Sequence, residues 1–76
     1  MHPLAFLEVY MIRVMVNGAG GKMGREVVKA VHNDPELTLV GGIDPTKAGQ
    51  DVGSVAGIEQ LGITMNASID EVLDTN

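Results

Sequence analysis

Residues 16–24, VNGAGGKMG, place four glycines and one cation in nine positions directly after an apolar run. So little side chain in one place suits a backbone that must come close to a ligand, and free amides opening a helix favour an anion there. Gly18 and Gly20 begin a G-x-G, but the third position of the common dinucleotide fingerprint holds Met23. The spacing that fits is G-x-x-G-x-x-G through Gly18, Gly21 and Gly24, with Gly21 as the position where the backbone meets a pyrophosphate. A hydrolase-type phosphate loop fails, since Gly21-Lys22 would need glycine where Val16 stands and Ser or Thr where Met23 stands. Asp44 follows Gly24 by 20 residues, the place where a carboxylate accepts the ribose hydroxyls of an adenosine.

Other chemistries find little support. The chain has no cysteine, so neither a disulfide framework nor a thiolate metal site is available, and His2 and His32 are too far apart for a local ligand pair. A formal net charge of −5 without a basic run argues against nucleic acid. No stretch is long and apolar enough for a membrane span, and the opening MHPLAFLEVYM lacks the basic start and long apolar centre of a secretory signal. Met11 is an alternative start, which makes residues 1–10 an extension of unassigned role. No metal site and no catalytic residue are expected in this chain.

The elements that must carry the loop are legible on either side of it. Residues 11–17, MIRVMVN, are nearly continuously apolar, which suits a parallel strand covered on both faces. From Lys22 the period changes: Met23, Val27, Val28 and Val31 form the apolar stripe of an amphipathic helix ending at Asn33-Asp34-Pro35. Lys22 and Arg25 fall on its solvated face, with only Lys22 near enough to touch a phosphate; Met23 reads as half core and half cleft wall, and His32 as a surface residue. LTLVGGID, residues 37–44, is a second strand with Leu37 and Leu39 on one face and Thr38 and Val40 on the other. Residues 45–61 read as a long loop, too rich in glycine for a helix, and residues 62–65 as a short third strand. Ser68-Ile69-Asp70-Glu71 matches a capping box opening a second helix with Ile69, Val72 and Leu73 as its apolar face. The fold class is therefore α/β, the first part of a Rossmann-like doubly wound parallel sheet.

GAGGKMGREVVKAV, then LVGGID, then GQDVGSVAG and LGITM together resemble the amino-terminal domain of the 4-hydroxy-tetrahydrodipicolinate reductase (dihydrodipicolinate reductase) family. The resemblance runs from Met11 to the end and includes the G-x-D-x-G-x-x-x-G pattern through Gly49, Asp51, Gly53 and Gly57. It implies hydride transfer from NADH or NADPH to a cyclic dihydropyridine dicarboxylate in lysine synthesis. Carried over by position, Gly18, Ala19, Gly20, Gly21, Lys22 and Met23 would hold the pyrophosphate and Asp44 the adenosine ribose. The family's histidine pair and lysine, and its homotetramer contacts, belong to a carboxyl-terminal substrate domain that has no counterpart in residues 11–76, so this chain alone is expected to be inactive. A cytoplasmic location is implied, or a plastid one for a plant protein. Lys22 stands where arginine is frequent, and Pro45 where some NADPH-using members carry arginine, leaving Lys47 as the nearby cation. A nucleotide-sensing module without catalysis, or another nicotinamide enzyme such as a semialdehyde dehydrogenase, would use the same half-domain.

Overall fold

The computed structural model describes residues 12–71. The extension at residues 1–10, Met11, and Val72 and Leu73 of the last helix lie outside the described residues. In chain order the elements are β1 (Ile12–Asn17), α1 (Lys22–Asn33), β2 (Leu37–Ile43), a 3-10 turn (Pro45–Lys47), α2 (Val52–Ala56) and β3 (Met65–Asn66). The three strands form one parallel sheet in the order β1-β2-β3. A parallel β1-β2 pair needs a crossover, and α1 supplies it.

The core lies between one face of the sheet and the two helices. Val16, Ala19, Val28, Val52, Ala56 and Met65 are buried together, with Val14, Leu39, Val55, Ile58 and Ile63 packed around them. Gly42 is the point where they converge. A Cβ there would meet Val52 at 2.8 Å, the Met65 sulfur at 3.0 Å and Ala19 at 3.1 Å. The register shifts between Val14 and Met15: Val14 pairs with Leu39 and Met15 with Gly41, leaving Val40 as the extra residue of a bulge. The alternation expected for residues 37–40 therefore does not continue into the glycines.

Three expectations are corrected. Strand β1 is not covered on both faces among the described residues, since Ile12 is 59% and Met15 36% exposed. The buried stripe of α1 is Gly24, Val28 and Val31, whereas Met23 is 76% exposed and Val27 faces outward. Gly24 lies directly against the Gly18 carbonyl, and this contact turns the 24/28/31 line, rather than the 23/27 line, onto the sheet. The glycine-rich stretch 45–61 contains a helix after all. Asp51 caps α2 by accepting from the Ser54 amide at 2.9 Å, and Gly57 closes it in the left-handed region at φ +87. Gly53 is glycine because a Cβ would run into the Glu59 carbonyl and meet Leu61 at 2.6 Å. Its spacing from Gly57 reflects close packing and a cap, not a loop.

The ends of α1 and the last helix agree more closely with the pattern. α1 stops at Asn33, and the Asp34 amide closes on the Val31 carbonyl. Helical backbone resumes at Ile69. The Glu71 carboxylate reaches back to the Ala67 amide at 2.8 Å, one residue earlier than a capping box through Ser68 requires. The expected third strand is found at its C-terminal end, Met65–Asn66, while Thr64 makes an isolated antiparallel bridge to Asp51.

Candidate dinucleotide site

The glycine turn sits between the end of β1 and the start of α1, beside the end of β2. Each of its four glycines meets a different requirement. Gly18 adopts φ +75, which L side chains rarely do. Gly24 packs against the Gly18 carbonyl and the Ala19 Cα, so a side chain there would overlap main chain. At Gly20 a Cβ would meet Asp44 Oδ2 at 2.5 Å and the Lys47 Cγ at 2.6 Å. Gly21 is different. Its φ of −80 and ψ of 173 are open to any residue, and a Cβ there meets only the Gly18 carbonyl oxygen, at an ordinary 3.5 Å.

The amides of the turn divide in the same way. Gly18 and Ala19 both donate to the Ile43 carbonyl, at 2.7 and 3.0 Å, which binds the turn to the end of β2. Gly20 donates to Asp44 Oδ2 at 3.0 Å, and Gly21 donates to the Gly18 carbonyl at 3.0 Å. Among the described residues, the amides left without such a partner at the mouth of the helix are those of Lys22, Met23 and Gly24, and Gly21, as N-cap, brings no side-chain cap to them. Lys22 and Met23 are exposed, whereas Gly24 is buried. Gly18, Ala19 and Gly20 thus shape the turn from within, whereas Lys22 and Met23 present donors outward.

Asp44, directly after β2 and capping the 3-10 turn, is a buried carboxylate, 9% exposed. Its Oδ1 accepts from the Thr46 hydroxyl at 2.8 Å and the Thr46 amide at 3.0 Å, and its Oδ2 from Gly20. These donors hold its pKa below the ordinary value of 3.8: the Thr46 hydroxyl most, then the Thr46 amide, with burial opposing and Gly20 and Lys47 adding to the lowering. Lys47 lies in an ordered turn rather than in the long loop expected for residues 45–61. It closes the 3-10 turn, its amide bonded to the Asp44 carbonyl at 3.1 Å and its stem packed by Gly20.

Two contributors went unrecognised in the sequence. Arg25 folds back so that its Nε donates to the Gly21 carbonyl at 3.3 Å, which brings a second cation to the turn besides Lys22. Its i, i+4 spacing from Gly21 was the available signal. Asp51, noted only as part of a pattern, gathers five donors: the Ser54 amide and hydroxyl and the amides of Leu61, Gly62 and Ile63, at 2.8–3.3 Å. Burial would raise its pKa, but the amides of Leu61, Ser54, Ile63 and Gly62 together outweigh it and bring it down to about 2. This clasp fixes the segment entering β3, whose Asn66 carbonyl accepts the Asp44 amide at 2.8 Å. Among the described residues, no group of three or more His, Asp or Glu could hold a metal ion, and no helix is long and apolar enough to cross a membrane.

A parallel β-α-β unit with a glycine turn at its first crossover and a carboxylate ending its second strand is the opening of a Rossmann-like α/β domain. The family described as "Dihydrodipicolinate reductase, N-terminus" matches residues 12–76, and the chain belongs to it. Among relatives, a 4-hydroxy-tetrahydrodipicolinate reductase of Synechocystis sp. is 52% identical over 65 residues, 83% of this chain and 24% of the relative. One from Cyanothece sp. is 52% identical over 64 residues, 82% of this chain and 23% of the relative, and one from Nostoc sp. is 57% identical over 51 residues, 64% and 18%. The chain therefore spans about a quarter of the length of the first two relatives.

Proposed function

We propose that this chain binds the adenosine diphosphate end of NADH or NADPH, and that it is the cofactor-holding part of an enzyme that reduces 4-hydroxy-tetrahydrodipicolinate or its cyclic dihydropyridine form, in lysine synthesis. The observation that carries the reading is Gly21. Gly18, Gly20 and Gly24 are each explained by the protein's own backbone or side chains, whereas Gly21 is glycine for no internal reason. It caps the helix whose outward amides belong to Lys22 and Met23, so the space a side chain would take is the space a diphosphate needs. The bound dinucleotide would supply the hydride. This chain's part is to hold it: Gly21, Lys22 and Met23 toward the diphosphate, with Gly18, Ala19 and Gly20 shaping the turn, and Asp44 toward the adenosine ribose. We place the substrate-binding residues and the tetramer contacts implied by the family in a further domain, and the location in the cytoplasm.

Calorimetric titration of the folded chain with each nucleotide tests the cofactor half, and binding of neither would overturn it. The substrate half is tested by exchanging residues 12–71 into the corresponding segment of the Synechocystis reductase. A chimera that binds nucleotide but no longer reduces 4-hydroxy-tetrahydrodipicolinate would favour a sensing module.

A further inference from the structure

We infer that Thr46 is a positioning residue for nucleotide choice: by occupying Oδ1 of Asp44 from two directions, it leaves Oδ2, beside the Gly20 amide, as the oxygen that meets the ribose. The inference rests on the nucleotide reading above and goes beyond it, because Thr46 itself touches no part of the expected ligand.

A carboxylate offers about four acceptor positions on its two oxygens. The Thr46 amide and hydroxyl take two on Oδ1, at 3.0 and 2.8 Å, and the Gly20 amide takes one on Oδ2, at 3.0 Å. The remaining capacity therefore lies on Oδ2, which faces the glycine turn. Asp44 is then a reader of one hydroxyl rather than the acceptor of both that its position alone suggests. Thr46 is otherwise exposed, yet its hydroxyl is turned inward, and Pro45 before it stiffens the 3-10 turn. A carboxylate held at both oxygens keeps its charge at one place. It cannot rotate away from a 2′-phosphate, and it meets a 2′-hydroxyl without first being ordered. Released at Oδ1, it can do the first and loses the second.

The test is the pair of dissociation constants for NADH and NADPH at one salt concentration, in wild type, Thr46→Val, Thr46→Ser and Asp44→Ser, with melting temperature as the check on folding. Thr46→Val keeps the shape and the amide but removes the hydroxyl. It should weaken NADH by about three- to tenfold and move NADPH by less than about twofold, narrowing the preference. Thr46→Ser should restore both constants to within about twofold of wild type. In an Asp44→Ser background, Thr46→Val should leave the ratio unchanged, since there is no carboxylate left to orient. A ratio unmoved by Thr46→Val in a folded chain that binds nucleotide would overturn this inference alone. So would Thr46→Ser behaving like valine, or a ratio that still responds when Asp44 is serine. A folded chain that binds neither nucleotide overturns the underlying reading, and this inference falls with it.

Discussion

The Gly20 amide donates to Asp44 Oδ2 at 3.0 Å, joining residues 24 positions apart. The turn that opens α1 and the residue directly after β2 are thus one hydrogen-bonded unit, reinforced where Gly18 and Ala19 share the Ile43 carbonyl. Whatever acts on the acid is felt in the turn, and the reverse.

Gly21 and Gly24 should separate binding from stability. Gly21→Val is expected to melt close to wild type, because its dihedrals are ordinary and its surroundings open, but to lose nucleotide binding. Gly24→Ala is expected to destabilise by about 1–3 kcal/mol, as overpacking against fixed atoms does. Thermal melts and calorimetric titration of both variants check this; unchanged nucleotide affinity in a folded Gly21→Val chain would leave that glycine without a function.

Nucleotide preference should lean to NADH. In the proposed site the Asp44 carboxylate would accept a 2′-hydroxyl but repel a 2′-phosphate of about −1.5 to −2 charge. Lys47, held beside Gly20, would offset part of that repulsion. We expect NADH to bind on the order of three- to tenfold more tightly, Asp44→Ser to narrow or reverse the preference and Lys47→Ala to widen it. Dissociation constants at a single ionic strength decide the matter, and tighter NADPH binding by the wild-type chain would mean that the cations outweigh the acid.

Acid should unfold the chain through its two clasped carboxylates. Asp51, with a pKa brought to about 2 in the folded state, contributes stability that is fully present above the ordinary value of 3.8 and is lost as pH falls through about 2. Asp44 is shifted in the same direction and acts with the same sign. Melting temperature should therefore drop steadily from about pH 4 downward. Asp51→Asn should flatten that slope while lowering the plateau at neutral pH.

Removing the Asp51 clasp altogether should have a local signature. Asp51→Ala is expected to lower the melting temperature by on the order of 5–10 °C through loss of the α2 cap and the loop contacts. Hydrogen exchange should accelerate first at the Leu61, Gly62 and Ile63 amides, which the carboxylate now holds at 2.8–3.1 Å. Uniform acceleration across the chain would show that the clasp has no local role.

Supplied with reduced nucleotide and the substrate, the 76-residue chain is expected to show no turnover above the uncatalysed rate. Nicotinamide absorbance followed over time provides the measurement. Turnover would place a proton donor within this chain.

The β-α-β order was legible because periodicity changes at Lys22 and again at Leu37, and period reports directly on which element can bury a side. The pairing of the glycine turn with Asp44 was legible for the same reason, since the order of elements puts both at one end of the sheet. Which glycine does what was not legible. Gly24 against Gly18, and Gly53 against Glu59, are contacts between segments, and spacing carries no information about how closely two backbones pass. The same limit hid α2: Gly53 and Gly57 weaken a helix by propensity, and only the Asp51 cap and the packing against Leu61 override it. Met23 misled because a stripe of apolar residues fixes a period but not which of two adjacent lines faces inward.

The contacts at Gly20 and Gly24 differ in what lies opposite: side chains of Asp44 and Lys47 in the first case, main chain in the second. Side chains can be exchanged, so an alanine at position 20 can in principle be rescued by a second substitution at 44 or 47, and a genetic suppressor search should find such pairs. Main chain is the same whatever residue carries it. No second-site change can make room at Gly24, and the search there should return only reversion to glycine.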